Sequence, residues 1–241
     1  MALLTVEGVS KRFGALSVTE DMSFELHEGD ALGIVGPNGA GKTTLLNLIA
    51  GDIKPDAGRI TFEGNDITSM SAHVRCHRGI GRTSQIPRPF EGLTVFENVL
   101  VGATFGAGGR VTGAARNEVA VAAIEQAGMM HRANTLGSGL TLLERKRLEL
   151  ARALATKPRV LLLDEIAGGL TEAEVLSLVD TINDIRAGGV SIVWIEHIVH
   201  ALLRVVNRMM AINYGRKLIE GKPDEVMASN EVKSVYLGSD T

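Results

Sequence analysis

Gly36-Pro37-Asn38-Gly39-Ala40-Gly41-Lys42-Thr43-Thr44 places a glycine, four intervening residues and then Gly-Lys-Thr after the apolar run Ala31–Val35 and before Leu45-Leu46-Asn47-Leu48-Ile49. The spacing G-x-x-x-x-G-K-[ST] in a strand–loop–helix context predicts a phosphate-binding loop. Glycines let the backbone curl until its N–H groups converge on phosphate oxygens, and the helix N-terminus adds positive dipole. Asn38, Gly39, Ala40, Gly41 and Thr44 are therefore expected to line the phosphates. Lys42 is expected to reach the β- and γ-phosphates, and the Thr43 hydroxyl to hold Mg²⁺. The ligand so implied is a nucleoside triphosphate, and the fold an α/β P-loop core.

The 241 residues suit one large domain, or a core with an inserted subdomain. A net charge of −3 and the lack of any long basic run argue against nucleic acid as partner. Arg145-Lys146-Arg147 is the nearest thing to a basic cluster, and solvated charge at a helix start is the plain explanation for it. Cys76 is the only cysteine, so an internal disulfide is impossible and a reducing compartment fits. No apolar run reaches the roughly 18 residues of a membrane span, and Met1-Ala2-Leu3-Leu4 leads at once into strand-like alternation. The expectation is a cytoplasmic chain that reaches a membrane only through another subunit.

Alternation at Leu4–Ser10 and at Ser23–Leu26 predicts half-buried antiparallel strands. The fully apolar runs Ala31–Val35, Val160–Leu163 and Val190–Ile195 suit parallel strands covered on both faces. Between the first two of these runs, residues 88–156 read as an inserted helical subdomain, leaving 1–87 and 157–241 as the core. Gly102–Ala115, rich in glycine and alanine, reads as a mobile connection between helices.

Arg159-Val160-Leu161-Leu162-Leu163-Asp164-Glu165 is a buried strand ending in two carboxylates. Asp164 is expected near Mg²⁺, usually through water, and Glu165 as the general base that polarises the attacking water. An acidic cap at the turn before the helix that opens at Thr171-Glu172-Ala173-Glu174 is the structural alternative. The phosphate loop upstream favours the functional one.

With both motifs in this order, the chain resembles the ATP-binding subunits of ABC transporters over essentially its whole length. The resemblance implies an ATPase using ATP and Mg²⁺, with an antiparallel β edge on the P-loop core. Phe13 stands where the family stacks an aromatic on adenine, a core aromatic being the alternative. Gln85, in Thr83-Ser84-Gln85, resembles the glutamine that touches Mg²⁺ and water and links the nucleotide to the helical subdomain. His197 resembles the switch histidine that contacts the γ-phosphate. Ala167–Thr171 occupies the place of a loop that touches the partner subunit, with Thr171 where aspartate is usual.

One motif departs from the family. The Leu-Ser-Gly-Gly-Gln signature is replaced by Leu140-Thr141-Leu142-Leu143-Glu144, with leucines at both glycine positions. Thr141-x-x-Glu144 predicts a capping box and a helix start, whose N–H groups could still face a γ-phosphate. The resemblance implies composite sites shared between two ATPase subunits, so a weakened signature points to a heterodimer with a second, different ATPase.

Gly79–Gln85, Leu93–Val99 and the ending Glu220–Pro223 through Val235–Gly238 are similar to the branched-chain amino acid importer ATPases. Relatives in that branch serve urea, amides or lipopolysaccharide export. Implied partners are permease subunits, docking a coupling helix beside Gln85 against Ile86, Pro87, Phe90 and Leu93–Asn98, and, indirectly, a periplasmic solute-binding protein. Packing within the helical subdomain is the alternative for these apolar residues, and the favoured one for Phe96 and Val99. The implied location is peripheral, on the inner face of the membrane. A slowly hydrolysing assembly module and a soluble ATPase acting on ribosomes or DNA are the other classes. The latter usually carry fused halves, coiled-coil insertions or basic tails.

Overall fold

The computed structural model describes residues 2–106 and 113–237. It divides into two compact units, Met1–Ala72 with Ser191–Thr241, and His73–Val190.

In the first unit, β1 (Leu4–Phe13) and β2 (Leu16–Leu26) form the expected antiparallel pair, in register at Leu4↔Leu26 and Phe13↔Leu16. Alternation puts Leu4 and Val6 of β1 in the core, and the register shift after Val6, at left-handed Gly8, brings Val9 onto the same face. Beside β1 runs β4 (Ala57–Phe62), extended by the two-residue β5 (Asn65–Asp66). The second sheet of this unit is built on β3 (Ala31–Val35), buried along its whole length. Two parallel neighbours flank it, β8 (Ser191–Ile195) and β9 (Arg208–Asn213), and β10 (Arg216–Gly221) returns antiparallel to β9. The helix α1 (Lys42–Ala50) follows β3 directly. Three short helices complete the unit, α7 (Val199–Leu203), α8 (Pro223–Ala228) and α9 (Asn230–Leu237), with proline at the first helical position of α8, where no N–H is needed.

The second unit opens at α2 (Ala72–His77) and pairs β6 (Ile80–Arg82) in parallel with β7 (Val160–Asp164). Between these strands lie α3 (Val95–Phe105), α4 (Ala114–Gln126) and α5 (Leu142–Leu154), and α6 (Glu172–Ala187) follows β7. Capping boxes start α3, α5 and α6, made by Thr94 with Glu97, Thr141 with Glu144, and Thr171 with Glu174.

Two expectations need correction. Gly102–Ala115 is not one loose connection: Gly102–Phe105 is the last turn of α3, and Ala114-Ala115 begin α4, with residues 107–112 outside the described residues. Gly102 is a packing residue, since a Cβ there would collide with the Arg152 carbonyl of α5. The Arg145-Lys146-Arg147 cluster is not a solvated face either. Lys146 is buried, Arg145 donates to the carbonyls of Leu140 and Ser138, and Arg147 donates to those of Ala127, Gly128 and Ser177. These guanidinium groups tie the start of α5 to the turn after α4 and to α6.

Candidate functional site

Each unit carries one half of the expected residues. In the first, β3 delivers the chain into a loop whose apex, Asn38-Gly39, is exposed while Ala40 is buried. Gly41, at φ +98°, is the residue before α1, and a Cβ on it would strike the Val18 carbonyl oxygen. Only glycine fits such a turn. Lys42 is buried, and its ammonium donates to the carbonyls of Gly36 at 2.7 Å and Pro37 at 3.0 Å. The cation is thus held inside the curl of the loop. Thr43 is exposed and Thr44 half-buried. No side chain caps the first turn of α1, and no acidic residue lies in it, so its positive end suits an anion. From the far end of the chain, the β9–β10 turn fastens the loop: the Gly215 N–H donates to the Ala40 carbonyl at 2.9 Å.

Phe13, at the end of β1, is 51% exposed with the Lys11 ammonium 5.7 Å from its ring centroid, so it is not a core aromatic. His197 follows β8 and is exposed. The buried Glu196 carboxylate accepts from its backbone N–H at 2.9 Å, fixing the turn that presents the imidazole. Glu196 was not singled out from the sequence.

In the second unit, β7 ends at Asp164, only 1% exposed, whose Oδ2 accepts from Arg82 Nη2 of β6 at 3.2 Å. Glu165 turns off the strand with a left-handed φ of +47°, uncommon for a residue with a side chain. Gln85 donates from Nε2 to Glu165 Oε2 at 2.5 Å. Two residues expected to act together therefore meet. The Thr83 N–H donates to the Leu162 carbonyl at 3.0 Å, so segment 82–85 is latched along the end of β7.

At the start of α5, Thr141 Oγ1 accepts from the Glu144 N–H at 3.4 Å, and the Glu144 carboxylate accepts from the Thr141 N–H at 2.9 Å and Arg132 Nε at 2.6 Å. Burial alone would raise the Glu144 carboxyl. The Thr141 N–H and Arg132 outweigh it and hold the group below the ordinary glutamate range. Of the two leucines at glycine positions, Leu142 is 44% exposed and Leu143 half-buried. Thr171, where aspartate was expected, serves as the cap of α6.

The groove expected beside Gln85 changes in one respect. Ile86 and Phe90 are exposed, and Phe90 carries the Arg152 guanidinium 4.8 Å from its ring centroid. Val95, Asn98 and Val99 are buried, so Leu93–Asn98 is not a continuous wall. Asn98 is an internal strut: its amide nitrogen donates to the carbonyls of Phe90, Leu93 and Thr94, and its oxygen accepts from the Phe90 N–H.

Mg²⁺ favours hard oxygen ligands, and is usually held by one or two carboxylates plus substrate phosphates, without a dedicated cage. The Asp164 carboxylate and Thr43 hydroxyl are of that kind. No cluster of three or more His, Cys, Asp or Glu that could hold a metal occurs among the described residues. The Asp164 and Thr43 oxygens, each taken within its own unit, are of the kind that a metal carried in on phosphate accepts.

A lysine-bearing phosphate loop between strand and helix, with a parallel strand ending in Asp-Glu, defines a P-loop nucleotide-binding ATPase. The chain belongs to the ABC transporter family, whose model matches residues 19–168, and is an ATPase that drives transport. It is 36% identical to the lipopolysaccharide export system ATP-binding protein LptB of Haemophilus influenzae, covering 99% of this chain and 98% of that one. It is 34% identical to the high-affinity branched-chain amino acid transport ATP-binding protein LivG of Salmonella typhimurium, with 98% of each covered. Among solved structures, an ATP-binding cassette of an ABC transporter in its ADP conformation superposes with a TM-score of 0.88 at 29% identity, covering 99% of both chains. No helix among the described residues is long and apolar enough to cross a membrane.

Proposed function

We propose that this chain powers an importer of branched-chain or other hydrophobic amino acids. The observation that carries the reading is its likeness to LivG along the whole chain, together with the runs Gly79–Gln85 and Leu93–Val99. Lipopolysaccharide export is the second reading, favoured by the 36% identity to LptB. In either case the chain works at the inner face of a membrane with permease subunits, and residues 88–156 form the helical subdomain that meets them. Ile86 and Phe90 offer the exposed apolar surface for that contact.

In the proposed reaction Asn38 to Thr44 wrap the phosphates of ATP, and Phe13 stacks on its base. Lys42 leaves its loop carbonyls for phosphate oxygens. Mg²⁺, held by Thr43, Asp164 and Gln85, would neutralise charge on the phosphates. Glu165, oriented by Gln85, accepts the proton of the attacking water, and His197 contacts the γ-phosphate. Most of the rate enhancement is positioning and charge stabilisation.

We also propose that the chain pairs with a different ATPase subunit. Leu142 and Leu143 oppose the close backbone approach that glycines give, so Thr141 would serve the partner's nucleotide poorly.

Mass spectrometry of what co-purifies with the tagged chain from solubilised membranes tests the reading. Two small permeases and a second ATPase support it, while ribosomal or DNA-bound partners would sink it. Within the chain, Lys42→Ala is expected to abolish nucleotide binding, and Glu165→Gln to keep binding while stopping turnover. Normal turnover by Glu165→Gln removes it as the base. A tight ATP-bound homodimer of Glu165→Gln by light scattering would overturn the heterodimer.

A further inference from the structure

We infer that Arg82 is a positioning residue that makes metal capture by Asp164 conditional on bound nucleotide. The inference rests on the ATPase reading and adds a residue to it. Arg82 pairs with Leu162 in the parallel β6–β7 register, so the two share a face, and Asp164 lies two residues further along that face. The long guanidinium arm spans this one pleat and donates to Asp164 Oδ2 at 3.2 Å. Asp164 is 1% exposed and Arg82 22%, so the pair sits where water screens it weakly on the carboxylate side. The Arg82 backbone is fixed by the strand pairing and by the Thr83 N–H bonded to the Leu162 carbonyl, which keeps the root of the guanidinium arm one pleat from Asp164.

A bare divalent cation approaching Asp164 meets a carboxylate whose charge is already balanced. A cation arriving on a triphosphate brings its own negative charge, and needs from Asp164 only an oxygen lone pair to accept a coordinated water or the metal. Arg82 therefore disfavours the empty metal site and leaves the metal–nucleotide complex favoured. The same guanidinium stabilises the buried carboxylate in the resting protein. A purely structural role predicts that stability alone changes when Arg82 is replaced.

The test is Mn²⁺ binding to the full chain, followed by the electron paramagnetic resonance signal of free Mn²⁺, without nucleotide and with a non-hydrolysable ATP analogue. Arg82→Gln removes the charge while keeping a polar side chain, and is expected to bind Mn²⁺ about tenfold more tightly without nucleotide. Arg82→Lys keeps the charge and is expected to stay within about twofold of the wild type. Asp164→Asn is expected to change nucleotide-free binding by less than about twofold, because Arg82 already balances that carboxylate. Unchanged affinity in Arg82→Gln, or about a tenfold loss in Asp164→Asn, would overturn the inference. If Arg82→Gln does not fold, the Asp164→Asn arm decides. Failure of the wild type with nucleotide to take up more Mn²⁺ than the same concentration of the analogue binds without protein would instead fault the proposed nucleotide–metal site.

Discussion

Replacing Asn98 by alanine removes the strut under residues 90–94 and probes the surface proposed to meet the permease. The wild-type amide shares its two N–H groups among the Phe90, Leu93 and Thr94 carbonyls and accepts one hydrogen bond from the Phe90 N–H. Each bond contributes about 1 kcal/mol net, and bonds sharing one side chain are not additive. The half-exposed backbone partners regain some water, which lowers the loss, and the cavity left at a fully buried site raises it. The expected destabilisation is about 3 kcal/mol, or a fall in melting temperature of roughly 6–12 °C for a chain of this size. Circular dichroism melts of the nucleotide-free chain give the number. Asn98→Asp keeps the acceptor for Phe90 but aims a carboxylate at three carbonyls, and should melt lower still at pH 7. Nucleotide affinity should stay within about twofold, because the phosphate loop belongs to the other unit. Stimulation of ATPase activity by the assembled permease should fall. A loss below about 1 kcal/mol for Asn98→Ala would refute the strut.

Gly41→Ala forces an alanine to φ +98° and into the Val18 carbonyl. It should cost about 1–3 kcal/mol in chemical denaturation and weaken ATP binding by about tenfold or more, and wild-type affinity would contradict the loop geometry. Phe13→Ala should leave stability within about 0.5 kcal/mol, since the ring is exposed, yet weaken ATP binding roughly 2- to 10-fold by calorimetry. Unaltered affinity would remove Phe13 from the base site. Glu144 has a folded-state carboxyl below the 4.5 of an ordinary glutamate. A depressed value means its stabilisation is present above that range and is lost as pH falls through the folded-state value. Glu144→Gln should therefore melt lower than wild type at pH 7, with the difference closing as pH is taken below the ordinary range. A gap that persists in acid would assign the effect to shape.

What the sequence revealed best was local and covalently spaced. The phosphate loop, the buried run into Asp164-Glu165, and the Thr141–Glu144 cap all depend on residues a few positions apart, so their geometry follows from spacing. What it concealed depends on partners brought together by folding. Arg147 looks like surface charge until the carbonyls of Ala127 and Ser177 are placed against it. Arg82 gains meaning only through the register of β6 on β7, and Asn98 only through a loop folded back on its own helix. Gly102 misled for a related reason. Glycine signals a turn when read alone, but here its missing side chain lets α3 approach the α5 backbone.

The fastening of the Ala40 carbonyl by the Gly215 N–H has a consequence for biosynthesis. The unit that contains residues 36–44 is closed by Ser191–Thr241, and Val35 lies beside Ala211 in the sheet. A nascent chain that has emerged only through α6 therefore holds every residue of the phosphate loop, with Val18 of β2 against Gly41, but lacks β8, β9 and the Gly215 turn that also brace it. The loop gains its last brace only once Gly215 has been made.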